Sequence, residues 1–382
     1  MSTLIEDIQT AYRRESAENR EAVTAQDLPL SFESITDRWL TAVLCRRVPG
    51  AVVTGHRLSE VDNGSSNRRK IYLDYNAAGA DAGLPTALFC KASHGLMNRI
   101  VLGASGAARS ESLFYNTVRP HLDIEAPVGY FALNNESTFN SMVMIGDLTD
   151  HAQAFCDHRT VMTRARAESQ MRLLATLHGK CYSDPALKSQ LSGFPTWQVF
   201  FRNTLAFGMK EGSNAGFLAA AEVIPARLHA RAVEIWPATE ASVEALHRLP
   251  HTLTHGDVHL KNWYVAASGE MGLSDWQCAS VSHWGRDFAY TISTALTVED
   301  RRAWERELLA LYLDHLAKAG GPAIDFDIAW NIYRQQLVAA LAWWTVTLCP
   351  PPGAPDMQPR DVTIEFIRRI ATAMDDLDSL QV

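Results

Sequence analysis

Two neighbouring segments of the sequence carry polar side chains whose types and spacing suit phosphate chemistry. In the first, HGDVHLKN, Asn262 follows Asp257 by five residues. In the second, Asp275 comes after a short apolar run, thirteen residues beyond Asn262. Phosphoryl transfer uses one carboxylate to orient the acceptor hydroxyl and accept its proton, and an amide oxygen with a second carboxylate to hold Mg²⁺. The spacing therefore predicts Asp257 as the catalytic residue, and Asn262 and Asp275 as metal ligands.

A lysine and a glutamate upstream strengthen this interpretation. Lys91 ends an apolar run, where a buried cation is costly unless it has a partner. Glu111 lies on the apolar-leaning face of the next predicted helix, because apolar residues follow it by three, four and seven positions. A strand lysine paired with a helix glutamate positions the α- and β-phosphates of ATP in kinases. We therefore expect Lys91 and Glu111 to form such a pair.

The local patterns that must position these residues change along the chain. Helical spacing of apolar residues predicts an exposed amphipathic helix over 1–25 and a second helix over 35–47. After Asp147 the pattern is almost entirely helical as far as the segment near residue 255, and it is helical again from about 299 to the end. Four runs rich in aromatic and β-branched residues predict strands of an antiparallel sheet: RRKIYLDY, TALFCKA, YFALNN and TFNSMVMIGDL.

These patterns predict an α+β protein of two lobes, with a natural cleft at their junction. The N-lobe should cover 1–145, including an N-terminal helical extension, and the hinge should cover 146–149. The helical C-lobe, 150–382, should hold the catalytic and metal loops and the acceptor pocket. A proline-dense linker, 349–359, separates two of its helical segments.

The chain resembles the aminoglycoside phosphotransferase/choline kinase superfamily of small-molecule kinases. That superfamily carries an H-G-D-x-H-x-x-N motif and a D-[FW]-[EQ] metal motif, which read HGDVHLKN and DWQ in this chain. Further runs are most similar to its CHK kinase-like, or ecdysteroid kinase-like, branch: ITDRWLTAVL, RRKIYLDY, LFCKAS, SESLFY, MVMIGDL and GRDFAY. The resemblance covers about 35–380 and implies a protein-kinase-like bilobal fold, with a small N-lobe around an antiparallel sheet and a larger, mainly helical C-lobe.

The resemblance also implies roles for residues that the spacing alone does not single out. It places a phosphate loop in 62–69 and an adenine-binding hinge at 146–148, where Gly146 replaces the usual glutamate. His259 stands where the ecdysteroid kinase-like branch often has tryptophan. The candidate cofactor-binding residues are therefore Gly64, Ser65, Ser66, Gly146 and Leu148, beside Lys91 and Glu111. The residues expected to support the catalytic loop structurally are His255, His259 and Asp287.

Composition excludes several other classes of protein. Lys and Arg number 35 and Asp and Glu 43, so the formal net charge of −8 disfavours a nucleic-acid-binding protein. No apolar run approaches the roughly 18 residues of a membrane-spanning helix, and the first residues lack the apolar core of a signal peptide. The six cysteines are scattered without a C-x-x-C pair, which favours reduced thiols. We therefore expect a cytoplasmic protein with neither nucleic-acid nor membrane partners; its oligomeric state stays open.

Three alternatives remain beside a small-molecule kinase. His251, His255, Asp257 and His259 have spacing that a zinc-dependent hydrolase could use, although Asn262 and Asp275 would then have no role. A protein kinase is disfavoured because only eleven residues separate Asp275 from Asp287 and no A-P-E motif follows. A non-catalytic nucleotide-binding pseudokinase is the third alternative.

The sequence thus predicts an enzyme that transfers the γ-phosphate of ATP, with Mg²⁺, to a hydroxyl of a small molecule. GTP in place of ATP stays open. The resemblance implies that the acceptor is a lipophilic alcohol, an aminoglycoside-like compound, a choline-like amino alcohol or a hydroxyacyl compound. Aromatic residues in the predicted helices 196–217 and 328–348 favour the lipophilic alcohol.

Overall fold

The chain divides into two units, each with its own apolar core, in a computed structural model that describes residues 2–18, 20–352 and 357–382. The first unit comprises the described residues up to Pro120 together with Pro127–His151. The second comprises His121–Ala126 and the described residues from Ala152 onward. Part of the predicted linker, 353–356, lies outside the described residues.

A six-stranded antiparallel sheet forms the centre of the first unit. Its strands are β1 (Val53–Leu58), β2 (Asp62–Asn63), β3 (Asn67–Tyr75), β4 (Ala87–Ala92), β5 (Gly129–Asn134) and β6 (Ser141–Gly146). The spatial order is β1-β3-β4-β6-β5, and β2 pairs with β3. The register places Lys91 of β4 opposite Arg68 of β3 and Val143 of β6, so Lys91 lies on an interior strand. The four predicted strand runs all fall in this sheet.

Five helices complete the first unit: α1 (Ser2–Glu18), α2 (Asp37–Leu44), α3 (Ala77–Asp81), α4 (Leu96–Ser105) and α5 (Ala107–Leu113). The side chain of Thr36 caps α2 by accepting the backbone N–H of Trp39, as expected for an N-cap threonine. The prediction of an exposed helix over 1–25 is wrong in length and in exposure. α1 ends at Glu18 and packs against α4 with Ile8 fully buried, and Asp27 accepts the backbone N–H groups of Val23 and Thr24 in the turn that follows.

Ten helices form most of the second unit. They are α6 (Arg164–Ser183), α7 (Pro185–Gln190), α8 (Trp197–Leu205), α9 (Met209–Ala219), α10 (Ala226–His229), α11 (Ala232–His247), α12 (Gly285–Ala295), α13 (Val298–Lys318), α14 (Phe326–Leu348) and α15 (Arg360–Asp376). The central helix α14 packs against α9, α11, α12 and α15. Gly216 allows the close approach of α9, since a Cβ there would lie 1.8 Å from the carbonyl oxygen of Thr345. None of the described helices is long and apolar enough to cross a membrane.

Two small antiparallel sheets carry the loops of the second unit. One has the order β10-β9-β7, from β7 (Ala152–Phe155), β9 (Trp263–Ala266) and β10 (Met271–Leu273). The other pairs β8 (Thr252–Thr254) with β11 (Ser280–Ser282). The expectation of almost entirely helical structure from 148 to 255 has an exception at β7, a short edge strand that pairs with β9, about a hundred residues later. Helical structure also resumes at Gly285 rather than near 299.

Candidate active site

The predicted pair of Lys91 and Glu111 is formed inside the first unit. Lys91 Nζ donates to Glu111 Oε1 at 2.7 Å, and the two residues are only 6% and 4% exposed. β4 supplies the lysine and α5 the glutamate. Because the two buried charges compensate each other, removing one of them would be strongly destabilising.

The predicted phosphate loop is the turn between β2 and β3. The backbone carbonyls of Gly64 and Ser65 accept hydrogen bonds from Asn98 Nδ2 of α4, at 3.0 and 2.9 Å. Gly95, at the start of α4, donates its N–H to Asn67 Oδ1 at 3.0 Å. The turn is thus attached to α4 on both sides, and Asn98 is a residue that the sequence analysis did not identify.

The predicted hinge begins at the end of β6. The N–H of Gly146 donates to the Val128 carbonyl at 2.9 Å. The next residue, Asp147, pairs with Lys70 Nζ at 2.9 Å and accepts the N–H of Thr149 at 3.1 Å. Burial opposes ionisation of Asp147, but the hydrogen bonds from Lys70 and Thr149 outweigh it and lower the pKa of its carboxyl. These contacts hold the backbone of the segment that contains Leu148.

In the second unit, hydrogen bonds join the two loops that the sequence motifs predicted. The loop 255–262 follows β8, and the loop that contains Asp275 follows β10. Ser274 donates from both its backbone N–H and its hydroxyl to the Asn262 carbonyl, at 2.9 and 3.0 Å. His255 Nε2 contacts the Ser274 carbonyl at 2.9 Å. Residues from 255 to 275 therefore form one connected site.

Asp257 occupies the centre of this site, with 27% of its side chain exposed. Its Oδ1 accepts a hydrogen bond from the Tyr290 hydroxyl at 3.1 Å, and His259 Nε2 lies 3.6 Å from its Oδ2. Burial raises the pKa of the Asp257 carboxyl, but His259 and its hydrogen bond more than offset this, so the net pKa lies below its usual value. Asp257 is therefore an ionised acceptor at neutral pH.

The two predicted metal ligands present oxygen atoms. Asn262 Nδ2 donates to the Asp257 carbonyl at 2.7 Å, so the amide oxygen is the atom that Asn262 can offer to a cation. Asp275 has a left-handed backbone conformation, with φ 66°, and its Oδ1 accepts a hydrogen bond from Gln277 at 2.5 Å. A set of amide and carboxylate oxygens suits Mg²⁺, which is a hard cation.

Asp287 lies behind the catalytic loop. It is fully buried, and its carboxylate accepts the backbone N–H groups of His255 and Gly256, at 2.6 and 2.9 Å. His178 Nε2 lies 3.2 Å from the same carboxylate, and the hydroxyl of Tyr312 contacts His178 Nδ1 at 2.7 Å. Burial raises the pKa of Asp287, but the bond from His178 and the backbone donors more than offset it. These contacts are those of a residue that supports the loop.

Three residues at this site escaped the sequence analysis: Tyr290, His178 and Tyr312. A signal was available for Tyr290, since it shares one face of α12 with Asp287 in the GRDFAY run. His178 and Tyr312 come from α6 and α13, and nothing local in the sequence connects them to residue 257.

The histidine cluster proposed for a zinc hydrolase does not form. His255 Nδ1 accepts the N–H of Asp257 at 3.2 Å and Nε2 contacts the Ser274 carbonyl, so both ring nitrogens have partners. His251 contacts the His247 carbonyl at 3.1 Å instead of this site. In the described part of the chain, no three His, Cys, Asp or Glu side chains are grouped as metal ligands.

Comparison with known proteins gives a family match over part of the chain. Residues 155–327 match the phosphotransferase enzyme family. This range contains the HGDVHLKN and DWQ motifs and α12. No curated protein matches the chain.

Solved structures extend the likeness to the fold. A protein from Ralstonia eutropha, classed provisionally as an aminoglycoside phosphotransferase, is 14% identical, with 90% of this chain and 97% of that chain covered and a TM-score of 0.51. An ethanolamine kinase from Plasmodium vivax is 12% identical over 85% of this chain and 81% of its own, with a TM-score of 0.46. A choline kinase from Streptococcus pneumoniae is 10% identical over 85% of this chain and 94% of its own, with a TM-score of 0.46.

The mixed α+β fold, with a small antiparallel sheet in one unit and mainly helices in the other, is the fold that the sequence predicted. The CHK kinase-like branch stays a prediction. The resemblance to the aminoglycoside phosphotransferase/choline kinase superfamily is confirmed by the family match over 155–327 and by the fold shared with the Ralstonia protein.

Proposed function

We propose that this protein is an ATP- and Mg²⁺-dependent kinase that transfers the γ-phosphate to a hydroxyl of a small molecule. The observation that carries the proposal is the connected site of Asp257, Asn262 and Asp275, held together through Ser274. The family match covers the same residues and supports phosphoryl transfer as the chemistry.

Asp257 orients the acceptor hydroxyl and receives its proton. Tyr290 donates to Oδ1, and Asn262 Nδ2 and His259 Nε2 lie 3.4 and 3.6 Å from Oδ2, so contacts at both oxygens hold the carboxylate in place for the acceptor hydroxyl. The lowered pKa makes Asp257 a weak base, so its main contribution is orientation, with the proton transferred late. This suits a loose transition state, in which catalysis depends on positioning and charge neutralisation.

Asn262 and Asp275 would hold the magnesium ion. Their donor set consists of oxygens, and the Asn262–Asp257 hydrogen bond turns the amide oxygen away from the loop backbone. When bound, Mg²⁺ neutralises the charge of the β- and γ-phosphates. The hydrogen bond from Gln277 fixes the orientation of the Asp275 carboxylate before any cation binds.

The first unit would bind the nucleotide. Lys91, held by Glu111, would steady the α- and β-phosphates, and the turn at Gly64, Ser65 and Ser66 would cover the phosphates with its backbone. The backbone at Gly146 and Leu148 would receive the adenine. These roles follow from the resemblance, and the contacts with Asn98 and Lys70 support them by holding both segments in place.

Several classes of alcohol are candidate acceptors. A lipophilic alcohol was favoured because of aromatic residues in 196–217 and 328–348, but most of these pack into the core of the second unit. Trp197, Phe200, Phe201 and Phe217 are only 2–5% exposed. Small alcohols of the lipophilic, aminoglycoside-like and hydroxyacyl classes are therefore all acceptors to test. We also propose a cytoplasmic location and the CHK kinase-like branch, on the sequence alone.

Calorimetric titration of ATP, with and without Mg²⁺, tests the proposal directly. We expect magnesium-dependent binding to wild type that is lost in Asp275→Asn. Asp378→Asn is the matched control, because Asp378 is also left-handed, with φ 48°, and asparagine tolerates that conformation. Binding with no turnover of any acceptor would support the pseudokinase alternative. Absence of nucleotide binding in wild type would refute the kinase.

A further inference from the structure

Arg286 is a buried cation beside the catalytic loop, and it has no role in the proposed reaction as described so far. It lies in the first turn of α12 and is 2% exposed. Its Nη2 donates to the Gly256 carbonyl at 2.7 Å, and its Nε has no hydrogen-bond partner among the described residues. A guanidinium buried this deeply is costly to desolvate, and that burial lowers its pKa. Its presence therefore needs a reason.

An aromatic face fixes the orientation of this guanidinium. Its central carbon lies 3.3 Å from the ring centroid of Trp197, and 5.8 Å from those of Tyr290 and Trp343. Trp197 is held in turn by stacking with Phe200 at 5.6 Å and by an edge contact with Trp343 at 5.5 Å. A planar cation stacked on a fixed ring can point its N–H groups in few directions.

This direction completes a clamp on one residue, Gly256, with one contact on each of its two peptide units. Asp287 accepts the N–H of Gly256 at 2.9 Å, and Arg286 donates to the carbonyl of the same residue. Gly256 has φ 81°, and a Cβ there would lie 2.5 Å from the Cys278 carbonyl oxygen, so this backbone shape needs glycine. The Gly256 carbonyl belongs to the peptide plane that leads into Asp257.

We propose that Arg286 is a positioning residue for Asp257. By holding the Gly256 carbonyl from the rigid face of Trp197, it sets the peptide plane that aims the Asp257 carboxylate toward the acceptor hydroxyl. This inference rests on the proposed kinase function. A small misplacement of a catalytic group is enough to slow a reaction strongly, so the contact should act on turnover rather than on nucleotide affinity.

Activity is measured as the release of phosphate from Mg·ATP, with water in place of the acceptor. The rate of the Asp257→Asn variant serves as the baseline. We expect Arg286→Met to lower kcat on the order of 10- to 100-fold with an unchanged KM for ATP. Arg286→Lys should recover part of the rate, because an ammonium can donate to the same carbonyl. Millimolar guanidinium should restore Arg286→Ala, and sodium chloride at equal ionic strength should not.

Arg301→Lys is the control for the loss of a buried arginine. Arg301 is equally buried, but it pairs with Glu305 and Asp376 instead of the Gly256 carbonyl. The Arg301→Lys substitution should lower the melting temperature of the protein and leave kcat unchanged. If Arg286→Met also lowers only the melting temperature, Arg286 is a packing residue and the proposal is wrong.

Hydrogen exchange separates this proposal from the kinase function itself. Arg286→Met should speed amide exchange in the peptide 253–262 and leave exchange in α13 as in wild type. Unchanged exchange at 253–262 would overturn the proposal even in an active enzyme. If wild type neither binds nucleotide nor releases phosphate, the kinase function is refuted instead. The positioning role of Arg286 in catalysis would then be refuted as well.

Discussion

The hydroxyl of Tyr290 donates to Oδ1 of Asp257 at 3.1 Å, which joins α12 directly to the proposed catalytic carboxylate. Burial raises the pKa of Tyr290 far above its usual value, so this hydroxyl stays protonated and remains a donor. The same helix carries Arg286 and Asp287, which form hydrogen bonds with the backbone of Gly256, the residue before Asp257. The first turns of α12 therefore hold the catalytic loop in place through hydrogen bonds.

Asp257→Asn should abolish turnover and leave nucleotide binding largely intact. The amide keeps the shape of the carboxylate but cannot accept the proton of the acceptor, so we expect a loss on the order of 10²- to 10⁴-fold in kcat. Calorimetry should show an ATP affinity within a few-fold of wild type. A variant as active as wild type would show that Asp257 is not the base.

Tyr290→Phe should move the acid limb of the pH–rate profile to higher pH. A hydrogen bond to the carboxylate favours its ionised form, so removing the donor raises the pKa of Asp257. At pH 8 the Asp257 carboxylate is ionised in both proteins. The rate of Tyr290→Phe should then approach that of wild type, apart from any loss in the orientation of this carboxylate. Tyr182→Phe is a suitable control, because the Tyr182 hydroxyl contacts the Pro250 carbonyl instead. An acid limb at the wild-type pH would contradict the assignment.

Breaking the Lys91–Glu111 pair should affect stability and nucleotide binding separately. Lys91→Met or Glu111→Gln removes one of the two charges of a buried ion pair, which costs about 3–5 kcal/mol in the free energy of unfolding. The double variant Lys91→Met/Glu111→Met removes both charges and should regain most of that stability. It should still bind ATP poorly, because no cation remains for the phosphates. Denaturant unfolding and ATP titration on all four proteins measure the two effects.

Two buried histidines should make stability fall as the pH drops below about 6.5. Burial lowers the pKa of His94 to about 4 and that of His283 to about 3, from an ordinary 6.5. The unfolded chain binds protons in that window and the folded chain does not, so the free energy of unfolding decreases as the pH falls. His283→Gln should flatten the dependence between pH 6.5 and 4, measured by urea unfolding. The exposed His121→Gln should leave it unchanged.

Local spacing alone singles out the residues that we propose react. Asp257, Asn262 and Asp275 lie within one stretch of nineteen residues, and the structure joins their loops by hydrogen bonds. Lys91 and Glu111 were predictable because a charge within an apolar run needs a partner. Four of the six strands described in the first unit, β3 to β6, were predictable because each lies in a short run of aromatic and β-branched residues, whereas β1 and β2 were not predicted.

The residues that support the site were decided by the tertiary structure. His178 reaches Asp287 from α6, 109 positions before it, and Tyr312 of α13, 25 positions after Asp287, contacts His178. Arg286 looks like any charged residue in the sequence, and only the packing of Trp197 against its guanidinium makes it a buried donor to Gly256. The type and spacing of neighbours along the chain predict which atoms can react. Which distant side chains orient those atoms depends on how the helices pack, and that is a property of the whole fold.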